Sequence, residues 1–167
     1  TTGSLSGGTM LRSELAQLPE FLKRFDREAR AMSRLSHVNI VSVTDFGVSD
    51  KVAFIVMELL EGASLADEIA RGRLPVPRAI FLTRQILAAL AYAHGMGVVH
   101  RDLKPHNVMI VNQPGVRDLI KLLDFGLAKF LTEETGGKQE STLTQAGTVF
   151  GTPAYMPPEQ AAGSDAD

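Results

Sequence analysis

Three oxygen-bearing side chains stand at the ends of two short apolar runs. Asp102 and Asn107 precede Val108–Val111, and Asp124 follows Ile120–Leu123. Two carboxylates and an amide make a hard donor set, suited to Mg²⁺ rather than zinc. The chain has no cysteine, so thiolate metal sites and disulfides are excluded. Mg²⁺ keeps waters and is usually shared with substrate phosphates, so this donor set points to phosphoryl transfer. The stretch His100-Arg-Asp-Leu-Lys-Pro-His-Asn107 adds two cations, Arg101 and Lys104. A loop between two β-type runs that carries Arg, Asp, Lys and Asn needs partners or a ligand for each of them.

The elements that must hold these groups are legible from periodicity. Phe21, Phe25, Ala29 and Met32 recur at helical spacing among charged residues, which predicts an amphipathic helix over 19–35. Residues 40–48 and 52–60 read as two strands joined by Ser49-Asp50-Lys51. Gly62 breaks the chain. Ser64 with Asp67 three residues on predicts a capped short helix ending at Gly72. Pro75 and Pro77 introduce a second long helix whose stripe Ala79, Leu82, Ile86, Leu90 and Ala93 reads as core. Val108–Val111 and Ile120–Leu123 then form a hairpin turned at Asn112-Gln-Pro-Gly115, and 132–141 reads as a mobile polar loop.

Composition bounds the function classes. The 167 residues suffice for one domain, with 44% hydrophobic and 22% charged residues. A formal net charge of −2 gives no nucleic-acid or anionic-membrane surface. No apolar run reaches the ~18–20 residues of a membrane span. Residues 1–9 carry neither a basic nor an apolar leader segment and read as a flexible lead-in. A cytoplasmic location is the expectation, with any membrane anchor lying outside this segment.

Taken in order, the motifs resemble those of the eukaryotic-type (Hanks-type) Ser/Thr protein kinases of bacteria. His100–Asn107 is similar to their catalytic loop and Asp124-Phe125-Gly126 to their metal-binding triplet. Gly151-Thr-Pro-Ala-Tyr-Met-Pro-Pro-Glu159 resembles the end of their activation segment, with Pro157 where Ala is usual. Phe25–Ala29 resembles the αC helix, Leu35–Val41 the loop after it with Val38 for Pro, and Phe54–Gly62 the strand running into the hinge.

The resemblance implies an α+β, two-lobe kinase-like fold, truncated, with 10–60 a remnant of the N-lobe and 61–167 the start of the C-lobe. It implies ATP and Mg²⁺. Asp102 would take or orient the proton of the acceptor hydroxyl, Lys104 would neutralise the transferring phosphoryl group, and Asn107 and Asp124 would hold metal. Met57 would sit at the back of the adenine pocket, the backbone of Glu58 and Leu60 would bond the base edge, and Met109 would form its floor. By the same resemblance Glu28 would be the αC glutamate. His100, Phe125 and Met32 resemble the apolar column joining the lobes. Arg101 implies control by loop phosphorylation, with Thr142, Thr144 and Thr148 among the candidates and Thr144 first, whereas Thr152 faces substrate. His37 and His94 read as structural or solvated, and His106 is given no chemical role.

Two parts of the family pattern are missing. No G-x-G-x-x-G is present, and Thr9 stands where the strand lysine belongs. The expectation is an incomplete and poorly active kinase domain, either a fragment or a degenerate copy. A pseudokinase or binding module is the alternative, and a small-molecule phosphotransferase a third. Protein substrates are the implied partners, with a homodimer for trans-autophosphorylation, no nucleic acid and no membrane segment.

Overall fold

The computed structural model describes residues 6–11, 19–49, 52–113, 115–125 and Tyr155. Gly126, the loop at 132–141, Thr142, Thr144, Thr148 and Thr152, and the remaining Gly-Thr-Pro segment apart from Tyr155 lie outside them. The element order is β1 (Ser6–Leu11), α1 (Pro19–Ser33), β2 (Val43–Ser49), β3 (Val52–Glu58), β4 (Gly62–Ser64), α2 (Leu65–Arg71), α3 (Val76–Gly95), a 3-10 turn (Pro105–Asn107), β5 (Val108–Gln113) and β6 (Val116–Leu122).

The strands make two antiparallel sheets, ordered β1-β3-β2 and β4-β5-β6. β3 is the centre of the first sheet and alternates, burying Ala53, Ile55 and Met57. This is the period-2 pattern of a strand with one face on the core. β1 corrects the flexible lead-in expected over 1–9, because residues 6–11 pair with β3 in a register that sets Thr9 opposite Ile55. The free N–H and C=O groups along the second edge of β3 recruit this segment despite Gly7 and Gly8, whose β propensity is low.

α1 presents Phe21, Phe25, Ala29 and Met32 to the core, all buried as the spacing requires. Phe21 and Phe25 stack at 6.3 Å between centroids. On the outer face Arg30 bonds Asp26 and lies 5.9 Å from the Phe46 ring, a cation–π contact that ties α1 to β2.

Residues 40–41, read as the start of a strand, instead leave the first sheet and cross to the second. Ile40 bridges Leu122, and the Val41 N–H donates to the Leu122 carbonyl at 2.9 Å. Buried Asn39 fixes the crossing. Its carbonyl accepts from the Leu122 N–H, and its Nδ2 donates to the Ile120 carbonyl and to Gln85 Oε1 on α3, both at 2.9 Å. Ile40, Ile55, Leu82, Ile120, Leu122 and Phe125 thus form one cluster spanning both sheets and α3.

β4 is short and close. A Cβ at Gly62 would lie 2.1 Å from the Ile110 carbonyl oxygen, so glycine is what lets β4 pair with β5. Ser64 then caps α2 in the expected capping box with Asp67, and Gly72, at φ 145°, closes it.

Candidate active site

The polar stretch between α3 and β5 folds around Asp102. Lys104 Nζ donates to Asp102 Oδ2 at 2.7 Å. Asn107 Nδ2 donates to the Asp102 carbonyl at 2.8 Å and to Oδ2 at 3.0 Å. The Asn107 N–H is spent on the Lys104 carbonyl, closing the 3-10 turn. The Asn107 carbonyl accepts from the Leu123 N–H at 2.9 Å, which ties the end of β6 to the loop and carries Asp124 with it. Arg101 and Asp124 hold φ of 62° and 53°. They are two of the three described non-glycine residues in the left-handed region, the third being Asp118 on β6, so most of this backbone strain flanks the one cluster.

The electrostatics of the cluster favour a cation. Burial pushes the Asp124 carboxyl pKa up, the negative charge of Asp102 adds to this, and Lys104 opposes it. The amide nitrogen of Asn107 is committed to Asp102, so its oxygen remains to coordinate. Among the described residues no three His, Cys, Asp or Glu side chains converge to chelate a metal by themselves. The Asp124 carboxylate and the Asn107 amide oxygen are hard oxygen donors of the kind Mg²⁺ takes alongside water or phosphate oxygens.

The His100 and Phe125 rings pack tilted at 43° with centroids 4.5 Å apart; both are buried, and Phe125 belongs with Met32 to the core cluster. Among the described residues neither ring nitrogen of His100 reaches a partner at full hydrogen-bond geometry; burial pushes its pKa down, opposed by nearby backbone at His100 and Leu123.

The other expected positions fall as follows. Met57 is buried at the end of β3, and Met109, half-buried on β5, pairs with Ser64 of β4. Glu58 follows Met57, and Leu60 packs on the core cluster two residues later. Glu28 is half-buried on α1 and accepts from Arg27 at 3.0 Å. Arg101 is exposed. His37 accepts from the Asn39 N–H and packs on the Tyr92 ring, as a structural histidine does, while His94 and His106 are exposed.

Three polar groups of the scaffold went unassigned at the level of sequence. Lys121, buried on β6, donates to Glu58 Oε1 at 2.7 Å. Arg78 on α3 bonds both Glu68 and Asp118, and Gln85 accepts from the Ile120 N–H while donating to the Asp118 carbonyl. A lysine inside the apolar run Ile120–Leu123 was the one available signal. Its partner lies 63 residues away and could not be found by local spacing.

Known proteins resemble this chain over nearly its whole length. The protein kinase domain family matches residues 11–166. The serine/threonine-protein kinase pkn3 of Myxococcus xanthus is 45% identical over 160 residues, covering 95% of this chain and 29% of that protein. PrkC of Bacillus subtilis is 41% identical over 155 residues, covering 92% of this chain and 22% of PrkC. The crystal structure of the Mycobacterium tuberculosis PknI kinase domain superposes with a TM-score of 0.69 at 31% identity, over 97% of this chain and 56% of that one. The chain thus spans less than a third of the length of the two kinases pkn3 and PrkC. Among its described residues no helix is long and apolar enough to cross a membrane.

Proposed function

The chain belongs to the protein kinase domain family, and on that premise we propose that it binds ATP with Mg²⁺ and transfers the γ-phosphoryl group to Ser or Thr hydroxyls of protein substrates. The observation that carries the reading is the bonded cluster Asp102–Lys104–Asn107, with Asp124 drawn beside it through the Leu123–Asn107 backbone bond.

In this reading each group has one task. Asp102 Oδ2, held by Lys104 and Asn107, accepts the proton of the incoming hydroxyl and keeps it aimed. Lys104, 2.7 Å from that carboxylate, would offset charge on the group in transfer. Asn107 offers its amide oxygen and Asp124 its carboxylate to the metal. Mg²⁺ supplies charge neutralisation on the phosphate oxygens when bound. Met57 and Met109 bracket the base, and the backbone of Glu58 and Leu60 meets its edge. The Glu58 N–H is spent on the Ser42 carbonyl, so its own carbonyl is the group offered. Exposed Arg101 receives phosphate on the activation segment, from Thr144 first or from Thr142 or Thr148, while Thr152 faces the acceptor. A homodimer would deliver that phosphate in trans.

Thr9 bears on how well this works. It occupies the strand position opposite Ile55 where the family places lysine, and Glu28 is bonded to Arg27 instead. Transfer is therefore weak, lower by about 10²–10³-fold than with an ammonium group there. The same two observations favour the second reading, a nucleotide-binding module without transfer. Radiolabelled γ-phosphate transfer to a mixed protein substrate, followed by phosphoamino-acid analysis, tests both. Weak Ser/Thr labelling that Thr9→Lys raises and Asp102→Asn abolishes supports the kinase. Nucleotide binding with no transfer, even in Thr9→Lys, leaves the binding module. Labelling of small hydroxyl compounds and not of protein would overturn both.

A further inference from the structure

We infer that Lys121 is a positioning residue for the adenine-binding edge, acting through Glu58. The inference rests on the nucleotide reading above. Lys121 and Glu58 have side-chain exposures of 9% and 29% and meet at 2.7 Å. Glu58 Oε1 takes a second donor, the Ser42 N–H at 2.8 Å, while the Glu58 N–H donates to the Ser42 carbonyl at 3.0 Å. Lys121 Nζ also approaches the Ile40 carbonyl at 3.4 Å. On its other side Lys121 adjoins Leu122, whose N–H and carbonyl are both bonded to the crossing segment at Asn39 and Val41.

Glu58 is therefore gripped through both its backbone and its side chain at the point where β3 ends. The grip is anchored on β6, the strand that delivers Asp124 two residues after Leu122. One lysine thus sets the distance between the backbone that would meet the base and the carboxylate that would meet the metal. A base edge read by one or two backbone groups tolerates little displacement, since misplacement of about 1 Å weakens such contacts severely. A buried ammonium is a costly way to glue two strands, and an apolar side chain of similar volume would serve packing alone as well. A packing role does not require that the ammonium meet the first residue past Met57.

The test is calorimetric titration of the unaltered chain and of Lys121→Met, Lys121→Arg and Glu58→Gln with adenosine and with ATP, the latter with and without Mg²⁺, alongside thermal melts. The expected result is that Lys121→Met weakens adenosine and ATP by the same factor, about tenfold. The gain in ATP affinity on adding Mg²⁺ should stay as in the unaltered chain, and Lys121→Arg should return within about threefold, as a retained charge-assisted bond requires. Should Lys121→Met not melt cooperatively, Glu58→Gln, which keeps an acceptor for Ser42, carries the same expectation. Affinity for adenosine within about twofold of the unaltered chain, or a loss confined to Mg·ATP, would overturn the inference. If the unaltered chain binds neither ligand, the nucleotide reading itself fails, and this inference with it.

Discussion

Replacing Asn39 by alanine is the sharpest probe of how the two sheets are joined. Asn39 is 5% exposed. Its Nδ2 serves two acceptors at 2.9 Å, Gln85 Oε1 on α3 and the buried Ile120 carbonyl on β6. Each bond is worth about 1 kcal/mol net, and leaving the Ile120 carbonyl buried without its side-chain donor adds about 1–3 kcal/mol. Gln85 keeps its bonds to the Ile120 N–H and the Asp118 carbonyl, which limits the damage on that side. With the Gln85 side compensated, the Ile120 bond and its stranded carbonyl together give about 2–4 kcal/mol. At roughly 2–4 °C per kcal/mol for a domain of this size, the melting temperature should fall by about 4–16 °C. Differential scanning calorimetry measures it, with Arg30→Ala as the reference, since that removes only surface interactions, the pair with Asp26 and the contact with the Phe46 ring. An Asn39→Ala shift no larger than the Arg30→Ala shift would refute the claim that this amide holds the crossing segment to α3 and β6.

Three further outcomes are expected. Gly62→Ala should cost about 1–3 kcal/mol in a melt, because the new Cβ meets backbone at the Ile110 carbonyl and β4 must part from β5; an unchanged melt contradicts the close approach. His100 is neutral in the fold because burial lowers its pKa below the usual 6.5, whereas the unfolded chain binds a proton at that ordinary value. Its contribution is therefore fully present above about pH 6.5 and lost as pH falls below it, and His100→Phe should flatten that limb of the stability profile. If phosphate on the activation segment switches the site, changing Thr142 and Thr144 together to alanine should remove the loop phosphopeptide from a mass spectrum and lower turnover; unchanged turnover on a peptide substrate excludes the switch.

Much of this was legible before any coordinates. The α1 stripe, the Ser64–Asp67 capping box and the placement of Asp102, Asn107 and Asp124 around one hairpin all follow from local spacing, because each is decided within a turn or a strand. What escaped was decided elsewhere in the chain. β1 carries Gly7 and Gly8 and no apolar alternation, and its strand exists only because β3 has an open edge. β4 is three residues long, and its glycine read as a breaker when it is a close-approach residue. Asn39 and Glu58 look like ordinary loop and hinge polar residues until Ile120, Gln85 and Lys121 arrive from distant positions. The candidate site residues were legible locally, and the scaffolding that aligns them was not.

The central claim is that Asp124 is held at a cost to the fold so that it can meet a metal shared with a nucleotide. Burial and the Asp102 charge raise its pKa, so the fold binds its proton more tightly than the unfolded chain does. Stability is then lost as pH rises from the ordinary carboxylate range through the raised value, and at neutral pH the ionised group is a net burden. The direct measurement is a paired thermal melt and Mg²⁺-dependent ATP titration of the unaltered chain and of Asp124→Asn at about pH 7.5, above the ordinary carboxylate range. The account predicts that Asp124→Asn melts at a higher temperature while Mg²⁺ ceases to tighten ATP binding. A variant that melts lower, or that keeps the full Mg²⁺ effect, would contradict it.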